Sequence, residues 1–181
     1  MQLPPQEKLL NSRYSASDKA VQLKGGGGMA VIFVKPEEKY IRSYWETFGE
    51  ICREKIYLAL SEPFSYESTV EFITKIIEAG MPSLFVIDTE SGRCVGWCDA
   101  ISDDGVSGRV GMGILKPFRD RKIGTDLLRQ VILLSSEYGY ENLKLDVWKS
   151  NKRAIHIYEK SGFVKYDEDD KKICMVLKLK K

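Results

Sequence analysis

From Met29 onward the apolar residues switch repeatedly between a spacing of two and a spacing of three to four, and this alternation limits the fold more than any other feature. Ala30–Val34 reads as a strand. Tyr40, Ile41, Tyr44, Trp45, Phe48, Ile51 and Cys52 then recur at helical spacing, and Pro36 suits a helix's first turn. Ser68 with Glu71 makes a capping box for a second helix carrying Ile73, Ile76 and Ile77, which Gly80 and Pro82 end. Ser83–Thr89, Arg93–Ile101 and a stretch near Arg109–Leu115 read as strands, separated by the turns Glu90-Ser91-Gly92 and Asp103-Asp104-Gly105. A helix follows from about Gly124 to Tyr138, then a strand carrying Leu143, Leu145 and Val147. A short helix from about Lys152 to Lys160 stops at Ser161-Gly162, and Phe163–Tyr166 and Ile173–Leu179 flank the acidic turn Asp167–Asp170. Hairpins mixed with helical crossovers predict one α/β domain: a mixed central sheet with helices on both faces.

Residues 1–28 lack this pattern and end in the tract Gly25–Gly28. They read as a flexible leader or N-terminal extension, leaving 29–181 as the domain. The glycines do not form a phosphate loop, because a strand follows them and no Lys-Ser/Thr pair does. The net charge is +2, from 28 basic and 26 acidic side chains, so there is no overall field for nucleic acid and any anion site must be local. No apolar run approaches the roughly 20 residues of a membrane span, and the first residues lack a signal peptide's apolar stretch. The expected setting is the cytoplasm. Cys52, Cys94, Cys98 and Cys174 are spread out and His156 is the one histidine, so buried free thiols are expected in place of a metal site.

Two segments carry chemistry. In Ile114-Leu-Lys-Pro-Phe-Arg-Asp-Arg-Lys-Ile-Gly-Thr a strand ends, a basic turn follows and a helix begins. A helix start offers unpaired N–H groups and a partial positive charge, which suit a phosphate. Arg119, Arg121 and Lys122 add charge there, and Gly124 permits close approach. Taken alone, the segment fits a phosphate cradle and a solvated basic loop equally well. The second segment runs from Val147 to Phe163. Asn151 can cap the following helix. Ala154 and Tyr158, four apart, share a helix face on which the small residue leaves room for a ligand.

Together these segments resemble the GNAT superfamily of N-acetyltransferases, over about Met29 to the C-terminus. Arg119-Asp-Arg-Lys-Ile-Gly124 is similar to that family's Arg/Gln-x-x-Gly-x-Gly/Ala pyrophosphate loop, with Lys122 where a glycine is usual and Asp120 in place of another frequent glycine. Asn151-x-x-Ala154-x-x-x-Tyr158-x-x-x-Gly162-Phe163 matches its second signature at every named position. The resemblance implies acetyl-CoA as co-substrate, held by Ile114, Lys116, Arg119, Arg121, Lys122, Ile123, Gly124, Thr125, Asn151, Ala154 and Tyr158. It implies that the strands before the two motif helices splay apart, that the backbone of Ile114 and Lys116 pairs with the pantetheine arm, and that an N–H near Ile114 holds the oxyanion. Tyr158 would be the acid for the leaving thiolate.

Many members of that family place a glutamate on the strand before the loop. Here Gly108–Leu115 has no carboxylate, and Asp99 and Asp146 are the nearby candidates for the base, Asp99 the one singled out. His156 lies about 200° around its helix from Tyr158 and is set aside. The acceptor amine, of a small molecule or of a protein, is expected near the loop between the first two helices, which contains Glu62–Tyr66, and the turn between the last two strands, which contains Asp167–Asp170, where carboxylates could attract a cation. Neither nucleic acid nor membrane is expected as a partner, and a homodimer stays open. The competing readings are a non-catalytic acyl-CoA-binding module and a nucleic-acid-binding domain.

Overall fold

The computed structural model describes residues 21–24, 30–58, 60–102 and 104–179. Eight strands form one open sheet: β1 (Val21–Lys24), β2 (Ala30–Val34), β3 (Ser83–Asp88), β4 (Cys94–Ile101), β5 (Ser107–Ile114), β6 (Asn142–Trp148), β7 (Val164–Glu168) and β8 (Lys172–Lys178). Their order is β1-β2-β3-β4-β5-β6-β8-β7, and every neighbouring pair is antiparallel except β5–β6. Among the described residues, four α-helices accompany these eight strands: α1 (Ile41–Arg53), α2 (Tyr66–Ala79), α3 (Ile123–Tyr138) and α4 (Lys152–Lys160).

The element order follows the sequence reading, and three local differences have physical reasons. Val21–Lys24 lies inside the expected leader yet pairs with β2 from Val21↔Phe33 to Lys24↔Ala30. Its alternation Val-Gln-Leu-Lys is a short strand pattern that the neighbouring glycines obscured. The Gly25–Gly28 tract and residues 1–20 lie outside the described residues. Pro36 precedes a 3-10 turn at Glu38–Tyr40, and α1 begins only at Ile41. The cap of α2 is Ser65, not Ser68: the Ser68 N–H donates to Ser65 Oγ at 3.1 Å, and Tyr66, packed edge-on to Trp45, adds the extra turn. Gly80 and Gly139 end α2 and α3 with φ of 61° and 103°, a left-handed conformation that glycine adopts without strain.

Both faces of the sheet are covered. β3 is buried at every position, and β4 at all but its last. On one face Tyr44 of α1 stacks on Phe85 at 4.9 Å and meets Trp97 edge-on at 5.5 Å, and Phe48 also meets Trp97 edge-on at 5.3 Å. On the other face the first turn of α3 sits over Met112 and Ile114, while Leu127, Leu128 and Val131 are wholly buried. Each of these side chains contributes about 1.5–3 kcal/mol by leaving water.

Two glycines of β5 shape the site. Gly111 and Gly113 stand opposite Asp99 and Trp97 on β4. Neither has a side chain, so both β4 side chains lean across β5. A Cβ at Gly111 would come within 2.9 Å of Asp99 Oδ1, and one at Gly113 would run into the Trp97 ring. Gly113→Ala is therefore expected to destabilise the domain by about 1–3 kcal/mol through overpacking. Urea unfolding of the two proteins reads this as a lower midpoint at unchanged m-value.

Candidate active site

β5 and β6 pair only at Ser107↔Asn142, Gly108↔Leu143 and Arg109↔Lys144. Beyond that point β5 stays with β4 through Ile114, and β6 stays with β8 through Trp148. The two strands diverge as the sequence reading expected. A cavity of about 450 Å³ fills the gap, lined by Val110–Ile114 of β5, Asp146 and Val147 of β6, Lys122, Gly124 and Thr125 at the start of α3, and Asn151, Ala154, Ile157 and Tyr158 around α4. Ile51, Tyr57 and Leu58, at and just beyond the end of α1, form a further wall.

The start of α3 has the character of an anion site. α2 is capped by Ser65, and α4 by Asn151, whose Oδ1 accepts the Ala154 N–H at 3.1 Å. Lys122, at the head of the 16-residue α3, makes no side-chain cap. The first N–H groups of α3 thus face the cavity with no side chain of their own helix satisfying them. Asp120 and Lys122, which replace frequent glycines of the resembled motif, take φ of 61° and 64°, the left-handed region that those glycines would occupy freely. Asp120 also borders the cavity, where its carboxylate accepts from Arg153 of α4 at 3.0 Å. The loop thus keeps the glycine geometry with non-glycine residues.

The predicted site residues divide. Ile114, Lys122, Gly124, Thr125, Asn151, Ala154 and Tyr158 line the cavity. Lys116 and Arg121 do not, and Ile123 is a core residue at 3% exposure. The Lys116 carbonyl accepts the Arg119 N–H at 3.2 Å as part of a 3-10 turn, so Lys116 leaves the expected extended pairing with an arm in the gap. Arg119 borders the cavity, but its guanidinium is bound to Glu54 and its Nε to the Ile114 carbonyl. That contact also occupies the Ile114 oxygen.

Of the two carboxylates weighed as base, Asp146 lines the cavity in an ion pair with Arg109. Asp99 is 7% exposed, with its carboxyl over Gly111. Burial raises it to about 7, and a hydrogen bond from the Gly111 backbone partly opposes the rise. Tyr158 is buried on α4, tilted against Phe163 at 5.7 Å, and desolvation pushes its phenol well above the ordinary tyrosine range. His156, set aside from helical geometry, is exposed yet reaches the cavity rim.

The loop between the first two helices reaches the cavity through only part of its length. Tyr57 and Leu58 form the wall, and Glu62–Tyr66 stays outside it. The loop turns back to place them: Lys55 takes φ of 55°, which no spacing rule foretells. In the final hairpin the carboxylates are engaged. Glu168 pairs with Lys149 at 2.8 Å and with Lys165, which holds it down to about 2, and Asp169 accepts the N–H groups of Lys171 and Lys172, both at 2.7 Å.

Comparison with known proteins agrees with this geometry. Residues 38–163 match the model of the acetyltransferase (GNAT) family. The chain belongs to the GNAT family of acetyltransferases. Over 110 residues it is 30% identical to the N-alpha-acetyltransferase MAK3 of Arabidopsis thaliana, covering 59% of this chain and 55% of that protein. Over 84 residues it is 36% identical to the mycothiol acetyltransferase of Propionibacterium freudenreichii, covering 44% of this chain and 27% of that one. The chain thus spans about half of the first relative's length and about a quarter of the second's. Among solved structures, a GNAT acetyltransferase from Streptococcus pneumoniae superposes with a TM-score of 0.75 at 18% identity, over 83% of this chain and 99% of that one. yncA from Salmonella typhimurium, solved with its cofactor acetyl-CoA, superposes at 0.73 with 13% identity, over 83% and 94%.

Asp99 ties the site to stability. Its folded-state proton is held to about pH 7, whereas the unfolded chain releases it near 3.8. The raised value contributes stability that is complete below about pH 4 and is lost as the pH rises through 7. Asp99→Asn is therefore expected to be more stable than the parent above pH 7, by roughly 2–4 kcal/mol. The difference should close toward pH 4, as followed by urea unfolding across that range.

Proposed function

We propose that this protein transfers the acetyl group of acetyl-CoA to a primary amine by direct attack, with no covalent enzyme intermediate. The uncapped start of α3, opening onto the cavity between β5 and β6, carries this reading. Lys122 and the first N–H groups of α3, at Gly124 and Thr125, would hold the pyrophosphate. The unpaired edge of β5 would take the pantetheine arm, and Ala154 leaves room for it. Acetyl-CoA, when bound there, supplies the activated acetyl thioester.

Asp99 is the general base. Its carboxyl lies behind Gly111, which borders the cavity, and a value near neutrality fits a base that must accept a proton at physiological pH. Its low exposure calls for a water between it and the amine. Tyr158 acts on the leaving side. A phenol raised far above a thiol's ordinary value of about 8.5 remains protonated. It serves as a hydrogen-bond donor to sulfur more than as a full proton source. Both small-molecule and protein amines fit this reading; the wall of Ile51, Tyr57 and Leu58 favours an apolar group beside the amine. A cytoplasmic setting is supported by the four free cysteines, three of them buried.

A thiol-release assay with acetyl-CoA and a panel of amines and peptides tests the reading. Release by at least one acceptor is expected. Acetyl-CoA binding without release by any acceptor would replace the enzyme with a binding module. In the parent enzyme, kcat/KM should rise with pH through about 7 and then level off. Asp99→Asn should lose about a hundredfold in kcat/KM and lose that inflection. Tyr158→Phe should lower kcat roughly tenfold while the acetyl-CoA Kd, measured by calorimetry, stays within about twofold. Equal losses in both quantities would make Tyr158 a structural residue.

A further inference from the structure

Arg119 opens the expected phosphate loop, but three of its five guanidinium N–H groups are engaged elsewhere. Nη1 and Nη2 reach the two Glu54 oxygens at 2.8 and 2.6 Å. Nε donates to the Ile114 carbonyl at 2.7 Å, and the guanidinium covers the Tyr57 ring at 4.8 Å from its centroid. The side chains are 13% and 24% exposed for Arg119 and Glu54, so this pair is far better shielded than an ordinary surface pair. The backbone N–H of Arg119 is taken as well, by the Lys116 carbonyl.

The partners belong to two different walls. Glu54 and Tyr57 follow α1 on the acceptor side, and Ile114 is the last residue of β5. We propose that Arg119 is a positioning residue for the acceptor wall and not a phosphate ligand. It fastens the turn after α1 to the end of β5, and so fixes where Tyr57 and Leu58 stand over the cavity. This rests on the acyl-transfer reading of that cavity. The fastened turn is strained: Lys55 sits at φ of 55°, a left-handed conformation that a non-glycine residue adopts only at a cost. Once released, the segment has a reason to relax. The contact also needs arginine in particular, because a lysine ammonium offers neither the two-pronged fork nor a third donor for Ile114, nor a flat face for Tyr57.

The test compares Arg119→Lys and Glu54→Gln with the parent full-length chain. Three quantities are read: the acetyl-CoA Kd by calorimetry, the KM of the best amine in the panel, and amide hydrogen exchange over residues 54–58. Both variants are expected to raise the amine KM at least tenfold and speed exchange over 54–58 at least tenfold. The acetyl-CoA Kd should stay within twofold. A tenfold weaker acetyl-CoA Kd in Arg119→Lys, with exchange unchanged, would make Arg119 a phosphate ligand and overturn the proposal. No change in any quantity would also overturn it. Far-UV circular dichroism checks each fold, and Glu54→Asp, which keeps the charge but shortens the reach, replaces Glu54→Gln if that chain does not fold. Should the parent acetylate no amine, the transferase reading falls, while exchange and the acetyl-CoA Kd still decide whether Arg119 holds the turn or a phosphate.

Discussion

The parallel ladder between β5 and β6 ends after three residue pairs, and the site exists because it ends there. Each strand is bound more firmly to its other neighbour: β5 to β4 over six pairs, β6 to β8 over seven. Twist then carries the two halves of the sheet apart. The gap exposes backbone that a continuous sheet would have consumed, and the helices following the two strands are aimed at it. α3 meets the gap with an uncapped start, while the start of α4 is closed by Asn151. One helix start is left without a side-chain cap and the other is closed, an asymmetry on which the proposed anion site rests.

The loop before α3 shows how side chains can stand where glycines are usual. Asp120 and Lys122 hold left-handed backbone that costs each about 1–2 kcal/mol. Asp120 recovers part of this through Arg153 on α4, a contact that also ties the two motif segments across the cavity. Lys122 has its ammonium available at the cavity edge. Strain is thus spent in the place where close backbone approach and positive charge are both wanted.

Most of the fold was legible in the sequence because period and punctuation agreed: alternating strands ended at turns, and apolar helical stripes ended at Gly80 and Gly139. The gap was legible only through the resemblance, since no spacing within β5 or β6 encodes how far a ladder extends. Asn151, Ala154 and Tyr158 could be read because they share one short helix, where local geometry decides position. Arg119, Tyr57 and Leu58 could not. Their places depend on an ion pair between residues 65 positions apart and on the left-handed Lys55, both tertiary outcomes. The carboxylates of the last hairpin looked free in the sequence, but lysines and backbone N–H groups a few residues away engage Glu168 and Asp169. The Val21–Lys24 strand was hidden by its brevity.

Gly111 has a consequence that reaches beyond its own position. Asp99 can lie over β5 only while residue 111 has no side chain, so the two positions act as a single steric unit. A carboxylate carried at 111 would fill the volume that Asp99 now uses, and any other side chain at 111 would evict Asp99. A larger side chain at 111 should therefore be tolerated only with a smaller one at 99, and a carboxylate could pass between adjacent strands without leaving its point in space. What the two positions share is then one volume between neighbouring strands, and neither residue alone defines how it is filled.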